Sequence, residues 1–277
     1  MLTAADGVPD AAVEAAASAV GGTPRRLAAT AVEVPLAGPL PAGFAVGGVD
    51  ANVVPAEGRR KRMLIADMDS TIIGVECIDE LADFAGVKPQ VAAITERAMR
   101  GELDFEAALD ARVALLSGLP ESVLGRCYAE RVRLNPGART LVRTMAALGA
   151  ETALVSGGFT FFSRRVAAAA GFARHQANVL EARDGVLTGT VARPILGREA
   201  KVAALRAIAA QAGIAAAEVL AVGDGANDAA MVAAAGLGVA YRAKPALAAV
   251  ADAVLDRSDL TALLALQGIA EAEWVRD

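Results

Sequence analysis

Two carboxylates that stand two residues apart are the most informative chemical feature of this chain. Asp67 and Asp69 directly follow the apolar run 63–66. An apolar run between a basic segment and a polar turn predicts a buried parallel strand, and open α/β sheets bind ligands at the carboxyl ends of their strands. Because neighbouring carboxylates repel each other, a bound cation or a shared proton is needed to hold the pair. We therefore predict a catalytic or metal-binding role for both.

Three further segments carry groups that could hold a phosphate. Ser156, Gly157 and Gly158 follow the apolar run 152–155, and a hydroxyl with free backbone N–H groups at a strand end forms an anion cradle. Lys201 lies near the start of a helix predicted over 198–212, where a lone lysine is ordinarily solvated. The segment 223–228 follows the apolar run 219–222. Its Gly-x-Gly lacks the third glycine of a dinucleotide turn, and it carries two acids.

These two acids, Asp224 and Asp228, favour a metal over a dinucleotide. Negative charge beside a pyrophosphate would be unfavourable, whereas Mg²⁺ prefers hard oxygen ligands such as carboxylates. The sequence therefore predicts a Mg²⁺ site built from several strand ends.

The elements that must position these residues follow an α/β pattern. Strands are predicted at 63–67, 151–155, 219–222, 237–241 and 253–255, and they alternate with helices, which favours a parallel sheet covered on both faces. Residues 75–133 show helical periodicity only, so we predict a helical cap inserted between the first two strands. Asp184-Gly185 between apolar pairs predicts a hairpin turn.

The first 58 residues differ from the rest of the chain. A helix is predicted at 10–20 and a half-buried strand at 27–34, and several prolines and glycines follow. The run Arg59–Arg62 is interpreted as a solvated linker. We predict a small N-terminal α+β region at 1–58 and a catalytic domain at 59–277.

Composition excludes several classes of protein. The chain carries a net charge of −5, and its aromatic content is 4%. Both argue against a nucleic-acid-binding surface. Cys77 and Cys127 are too few for a disulfide framework and match no zinc spacing. No signal peptide is recognised, and the longest uncharged apolar run, 229–241, is shorter than the roughly 18 residues that span a bilayer. We expect a soluble cytoplasmic protein without nucleic-acid or membrane partners.

Taken together, the motif residues resemble the four motifs of the haloacid dehalogenase superfamily of phosphotransferases. The order and the strand-end placement match across roughly residues 60–277. The residues that carry this resemblance are Asp67, Asp69, Ser156, Lys201, Asp224 and Asp228. It implies a Rossmann-like parallel sheet with the predicted cap.

The cap sequence narrows the resemblance to the phosphoserine phosphatases. Residues 76–80, 95–105 and 112–116 carry it. It implies that Glu76 binds a substrate ammonium and Arg112 a carboxylate, with Met99 and Phe105 lining the pocket. A zwitterionic substrate needs one anion and one cation, and a guanidinium offers carboxylate a planar fork.

The resemblance also implies an Mg²⁺-dependent hydrolysis of O-phospho-L-serine, the last step of serine biosynthesis. Asp67 would be the nucleophile and Asp69 the general acid and base, while Ser156, the Gly157 N–H and Lys201 would stabilise the phosphoryl charge. Mg²⁺ would be held by Asp67, the backbone carbonyl of Asp69 and Asp224. Asp228 would lie behind these ligands, and Asn227 near the substrate.

Alternatives stay open at this point. A phosphotransferase that passes the phosphoryl group to homoserine would share the first half-reaction, and another small-molecule phosphatase would share the motifs. A non-catalytic regulatory protein on the same fold is disfavoured by the intact acidic residues. Residues 1–58 look short for the ACT-like domain of some phosphoserine phosphatases, and they could bind an amino acid, mediate a homodimer or pack on the core.

Overall fold

The computed structural model describes residues 1–36, 38, 40, 44–99 and 102–276, with the Met99 side chain excepted. The strands are β1 (Leu2–Thr3), β2 (Arg25–Ala28), β3 (Ala31–Glu33), β4 (Asp50–Ala51), β5 (Met63–Ala66), β6 (Glu151–Phe159), β7 (Arg174–Asn178), β8 (Leu180–Arg183), β9 (Val186–Val191), β10 (Val219–Gly223), β11 (Leu237–Tyr241) and β12 (Ala253–Leu255). The helices are α1 (Asp10–Val20), α2 (Cys77–Phe84), α3 (Lys88–Met99), α4 (Phe105–Ala114), α5 (Ser122–Arg131), α6 (Ala138–Ala147), α7 (Thr160–Ala170), α8 (Arg198–Ala212), α9 (Ala229–Ala233), α10 (Pro245–Ala248) and α11 (Ala262–Leu266).

A six-stranded parallel sheet forms the centre of the molecule, with strand order β12-β11-β10-β5-β6-β7. All four residues of β5 are fully buried, as their uninterrupted apolar sequence predicts for a central parallel strand. The backbone N–H of Asp67 donates to the Val222 carbonyl at 3.0 Å, which continues the ladder one step beyond β5. The carboxyl ends of β5, β6 and β10 therefore lie side by side, and the predicted α/β fold is confirmed.

Four helices, α2 to α5, form the insert between β5 and β6. Their buried side chains, including Leu109 and Val113, join the same apolar core as the sheet residue Leu64. The hairpin β8–β9 contacts the insert: the N–H of Gly118, between α4 and α5, donates to the carbonyl of Leu187 in β9 at 2.8 Å. The predicted helical insert is therefore present, and it is tied to the main body by backbone hydrogen bonds.

A separate four-stranded antiparallel sheet, with order β2-β3-β1-β4, lies at the N-terminus beside α1. The strand predicted at 27–34 is instead the hairpin β2–β3, because the chain turns at residues 29–30. The Asp50 carboxylate accepts hydrogen bonds from the N–H groups of Arg257 and Ser258, both at 3.0 Å, which ties this sheet to the segment after β12. The domain boundary near residue 58 stays a prediction.

Among the helices in the described ranges, none has the length and apolar character needed to cross a bilayer.

Candidate active site

Three carboxylates meet at the carboxyl edge of the parallel sheet. Oxygens of Asp67, Asp224 and Asp228 all lie within 4.8 Å of one another. Asp67 follows β5, whereas Asp224 and Asp228 follow β10, so the two central strands deliver all three. Sequence reasoning therefore placed these acids correctly at adjacent strand ends.

Lys201 compensates the charge of this cluster. Its Nζ lies 2.7 Å from Asp67 Oδ1 and 2.6 Å from Asp228 Oδ1, and the side chain is 1% exposed. Burial by itself lowers the Lys201 pKa, but the charges of Asp67 and Asp228 outweigh it and raise that pKa above its usual value. The lysine is therefore a buried, permanently charged partner of the acids rather than the solvated side chain that its helical position alone would suggest.

The free oxygens of the cluster identify a candidate cation site. Both oxygens of Asp228 are engaged, since Oδ1 pairs with Lys201 and Oδ2 accepts from the N–H groups of Asp224 and Gly225 at 3.2 and 3.1 Å. Asp67 Oδ1 pairs with Lys201 and accepts from Met68 N–H at 2.8 Å, while Oδ2 receives no hydrogen bond from any residue in the described part of the chain. Carboxylate oxygens suit hard divalent cations. The site therefore fits a cation bound by Asp67 and Asp224, with Asp228 holding the surrounding groups.

The pKa values of these acids reflect the crowding. Burial and the neighbouring Asp228 charge raise the pKa of Asp67, although Lys201 opposes the shift. Burial, followed by the charges of Asp228 and Glu76, raises the pKa of Asp224 to about 6. A divalent cation would stabilise the ionised form of both carboxylates.

Asp69 occupies a different environment two residues beyond Asp67. Its Oδ1 accepts from the Cys77 N–H at 3.3 Å, and its Oδ2 packs so closely on Gly158 that a Cβ atom there would lie only 2.6 Å away. Burial, followed by the Glu76 charge, raises the pKa of Asp69 to about 7. Asp69 can therefore carry a proton near neutral pH, as a general acid must.

The predicted anion cradle lies in an irregular part of β6. Ser156 is buried, and its Oγ accepts from the Gly158 N–H at 2.9 Å. The cradle lies close to the acidic residues, because Gly158 packs against the Asp69 carboxylate. The hydroxyl hydrogen of Ser156 remains available to a ligand, because it donates no hydrogen bond to another described residue.

The insert brings its predicted residues to the same edge. Glu76 Oε1 accepts from Ser70 Oγ at 2.6 Å, and its charge acts on both Asp69 and Asp224. Arg112 is half-buried, and its Nε donates to the Ala108 carbonyl at 3.1 Å. Burial lowers the Arg112 pKa, while the charges of Asp79 and Glu76 oppose that shift.

Phe105 and Met99 complete the set predicted from the insert. The Phe105 ring lies against the cradle, since a Cβ atom on Gly157 would come within 3.0 Å of its Cζ. Met99 is the last residue of α3, and its side chain lies outside the described residues. Phe105 is thus placed at the site, and the pocket role of Met99 stays a prediction.

Asn227 and two hydroxyl residues lie around the carboxylates. Asn227 is half-buried, and its side chain folds back on Gly225, where a Cβ atom would lie 2.3 Å from Asn227 Oδ1. Thr71 Oγ1 donates to Asp224 Oδ1 at 3.3 Å, while Ser70 supports Glu76. Sequence reasoning assigned no role to Ser70 or Thr71, although both belong to the motif that begins at Asp67.

The Asp69→Asn variant should be more stable than the wild type at about pH 8 when metal is removed with EDTA. Because the folded-state pKa of Asp69, about 7, exceeds its ordinary value of 3.8, its ionisation opposes folding. The stability that its proton supplies is complete below the unfolded-state pKa and is lost as pH rises through the folded-state pKa. We therefore expect the advantage of the variant to shrink by about 2 kcal/mol between about pH 8 and about pH 5.5.

Urea unfolding of both proteins at the two pH values measures this difference. Saturating Mg²⁺ should reduce it, because a bound cation favours ionised carboxyl groups. An advantage that grows as the pH falls would contradict the assignment of a raised Asp69 pKa.

Comparisons with known proteins agree with this geometry. Residues 64–233, more than half of the chain, match the haloacid dehalogenase-like hydrolase family. A phosphoserine phosphatase from Streptomyces coelicolor is 45% identical over 267 residues, covering 96% of this chain and 62% of that protein. A phosphoserine phosphatase from Idiomarina loihiensis is 46% identical over 202 residues, covering 73% of this chain and 91% of that protein.

The solved structures support the same relationship. One structure, a phosphoserine phosphatase with an analogue of its phospho-aspartyl intermediate, is similar with a TM-score of 0.70 and 38% identity, covering 74% of this chain and 98% of that one. The chain spans between 52% and 62% of the length of the first curated relatives that it matches. It belongs to the haloacid dehalogenase-like hydrolase family, and the relatives described above are named phosphoserine phosphatases.

Proposed function

We propose that the protein is a Mg²⁺-dependent phosphatase that hydrolyses O-phospho-L-serine to L-serine and phosphate. The observation that carries the proposal is the contrast between Asp67 and Asp69. Asp67 forms an ion pair with Lys201, whereas Asp69 forms none with any described residue and its pKa is raised to about 7. Two neighbouring carboxyl groups in different environments are suited to act as nucleophile and proton donor.

The first step transfers the phosphoryl group to Asp67. A carboxylate oxygen of Asp67 attacks phosphorus, the bond from phosphorus to the serine oxygen breaks, and an aspartyl-phosphate forms. Asp69 gives its proton to the departing serine oxygen, which leaves as a neutral hydroxyl. Lys201 holds Asp67 through Oδ1, so the other oxygen keeps a fixed direction.

The second step returns Asp67 to its original state. Asp69, now ionised, takes a proton from a water molecule, and the water oxygen attacks phosphorus. The bond between phosphorus and the Asp67 oxygen breaks, which releases inorganic phosphate. Asp69 thereby regains the proton that it gave to serine, and the cycle closes.

Charge on the phosphoryl oxygens is met by several groups of this chain. The Ser156 hydroxyl, the Gly157 N–H and Lys201 would contact these oxygens, and phosphoryl transfer depends mainly on such positioning and charge stabilisation. Mg²⁺ would be held by Asp67, Asp224 and the backbone carbonyl of Asp69, and when bound it would supply further positive charge there.

Recognition of the amino-acid part falls to the insert. Glu76 would bind the ammonium group and Arg112 the carboxylate of the substrate, while Phe105 covers the phosphate cradle. The names of the relatives, phosphoserine phosphatases, support this substrate. A homodimer and a cytoplasmic location stay predictions from the sequence.

Phosphate release from L-phosphoserine in the presence of Mg²⁺ tests the proposal. Turnover should depend on Mg²⁺ and stop in excess EDTA. Folded, Mg²⁺-supplied protein that releases no phosphate from L-phosphoserine would overturn the substrate, and turnover that persists in EDTA would remove the metal from the mechanism.

The Arg112→Ala variant should lose most of its activity on phosphoserine but little on p-nitrophenyl phosphate. A guanidinium–carboxylate pair that is lost on truncation costs about 2–5 kcal/mol, so we expect kcat/KM for phosphoserine to fall about 30-fold or more. The second ester has no carboxylate, and its kcat/KM should change by less than about threefold.

Steady-state kinetics on both esters measure this ratio. The matched control is Arg126→Ala on α5, where the arginine is exposed and pairs with Glu130 at 3.5 Å. This variant should leave kcat/KM for both esters at the wild-type value. Equal losses on the two esters in Arg112→Ala would argue against a carboxylate-binding role.

A further inference from the structure

The strand that carries the phosphate cradle is interrupted where the cradle lies. Val155 of β6 pairs with Gln176 of β7, and the next pair along the two strands joins Phe159 to Asn178. Four steps along β6 therefore match two steps along β7, and the surplus residues bulge out of the ladder. This bulge contains Ser156, Gly157 and Gly158. A bulge of this kind interrupts the regular ladder of backbone hydrogen bonds at these residues.

The side chain of Asn178 replaces these lost hydrogen bonds. Its Nδ2 donates to the Gly157 carbonyl at 2.9 Å and to the Leu196 carbonyl at 3.2 Å, and its Oδ1 accepts from the Leu196 N–H at 2.6 Å. Asn178 is 3% exposed. Both N–H groups and the oxygen of one buried amide are thus used to hold two backbone segments, and buried hydrogen bonds of this kind fix geometry because leaving them unmade is costly.

Both segments lead to groups that the proposed mechanism assigns to the phosphoryl oxygens. Gly157 belongs to the cradle itself. Leu196 is followed by Gly197 and then by α8, and Lys201 lies in the first turns of that helix. Asn178 therefore joins the cradle to the start of the helix that delivers the lysine.

The Phe105 ring packs on the same two segments from the insert. A Cβ atom added to Gly157 would lie 3.0 Å from the Phe105 ring, and one added to Gly197 would lie 3.2 Å from it. The ring thus lies across both backbones that Asn178 fixes. A shift of either segment would alter the surface that Phe105 contacts as well as the position of the cradle.

We propose that Asn178 is a positioning residue for phosphoryl transfer, which holds the Gly157 N–H and the Lys201 ammonium in register with each other. The inference rests on the proposed function. It assigns a role to a residue that need not contact substrate and that lies in a strand with no motif. Its effect falls on the phosphoryl group, and the amino-acid part of the substrate is bound by other residues.

The Asn178→Asp variant tests this role with the smallest change of shape. The carboxylate can still accept from Leu196 N–H, but it cannot donate to the two carbonyl oxygens and it repels them. We expect kcat to fall about 10- to 100-fold, the range that small misplacements of catalytic groups cause. The factor should be the same for phosphoserine and p-nitrophenyl phosphate, because both present a phosphoryl group to the same segments.

A matched control exists at the opposite edge of the sheet. Asn52 makes the same kind of reciprocal bonds, since its Nδ2 donates to the Val254 carbonyl and its Oδ1 accepts from the Val254 N–H, both at 2.9 Å. Asn52→Asp should lower the melting temperature and leave kcat per folded molecule at the wild-type value.

Asn178→Ser, which keeps one hydroxyl donor, replaces Asn178→Asp where the latter does not fold, and we expect it to lose kcat to a smaller extent.

The results of these measurements distinguish the proposed substrate from the proposed role of Asn178. A wild-type protein that hydrolyses p-nitrophenyl phosphate but not phosphoserine would overturn the substrate, while the Asn178 comparison proceeds on the former ester. Where the wild type acts on neither ester, calorimetric binding of inorganic phosphate decides, and Asn178→Asp should weaken it about 10-fold or more. Wild-type kcat or phosphate affinity in folded Asn178 variants would overturn the positioning role. An equal loss of kcat in Asn52→Asp would do the same.

Discussion

The Asp67→Asn variant should lose at least about 10⁴-fold in kcat while keeping its fold, since removing a nucleophile abolishes the chemical step. The amide oxygen can still accept the Met68 N–H bond that Asp67 Oδ1 accepts at 2.8 Å. Lys201 keeps its second partner, Asp228, at 2.6 Å. Neither the backbone at the end of β5 nor the buried lysine therefore loses all of its support.

Phosphate release and mass spectrometry together test the nucleophile. Wild-type protein that is quenched with acid during turnover should carry one additional phosphoryl group, and Asp67→Asn protein should carry none. The control is Asp83→Asn, because Asp83 is an exposed α2 residue that pairs with Arg131 at 3.4 Å, and this variant should keep wild-type activity. Substantial turnover by Asp67→Asn protein, once mass spectrometry excludes deamidation, would remove Asp67 as the nucleophile.

The positions of the acidic residues could be predicted from sequence because the signal was local. Asp67 and Asp224 each follow an apolar run that is fully buried in the structure. A buried parallel strand requires such a run, and the ends of parallel strands meet at one edge of the sheet. The two predicted strands were therefore sufficient to predict that Asp67 and Asp224 lie close together.

The strand β7 could not be predicted in the same way. It contains Arg174, His175 and Gln176, which are exposed at the edge of the sheet, and it is absent from the strands predicted from the sequence. An edge strand that is open to solvent needs no apolar pattern, so its place is determined by the neighbouring strand. The contacts of Asn178 depend on that pairing, and nothing in the local sequence distinguishes it from a surface asparagine.

The N-terminal sheet shows a second limit. Strands β1 and β4 contain two residues each, which is too short for any periodicity, and they are held by pairing with segments far along the chain. Serine often caps a helix N-terminus, and Ser258 precedes the last helix, yet its Oγ donates to Asp50 Oδ2 at 2.6 Å and the helix begins later, at Ala262. Both outcomes depend on tertiary contacts that local sequence does not encode.

The burial of Lys201 could not be predicted from its local sequence. From its helix alone it would be a solvated lysine, and only the resemblance to known motifs indicated otherwise. The structure buries it between two carboxylates. Its importance should therefore appear in stability as well as in activity.

The Lys201→Met variant should lose about 10³-fold in kcat and, without metal, about 3–5 kcal/mol of unfolding free energy at about pH 8. Removing the lysine leaves Asp67 and Asp228 buried beside each other without the charge that pairs both. The stability loss should be smaller at about pH 5.5, because a lost cation raises the pKa of the remaining carboxyl groups and protonation then relieves their repulsion. Urea unfolding in EDTA at both pH values measures this loss, and Lys88→Met, at an exposed position of α3, is the control for the substitution itself.

Adding Asp228→Asn to Lys201→Met separates the two roles of the lysine. The double variant removes one buried negative charge together with the positive one, and its amide oxygen can still accept from the N–H groups of Asp224 and Gly225 that Asp228 Oδ2 binds. Stability should therefore recover by about half or more, since a buried pair replaced on both sides costs less than one broken on a single side. Activity should not recover, because no cation then faces the phosphoryl group from α8. A double variant as unstable as Lys201→Met would show that packing, and not the uncompensated charge, accounts for the loss. Recovery of turnover would remove Lys201 from the phosphate-binding groups.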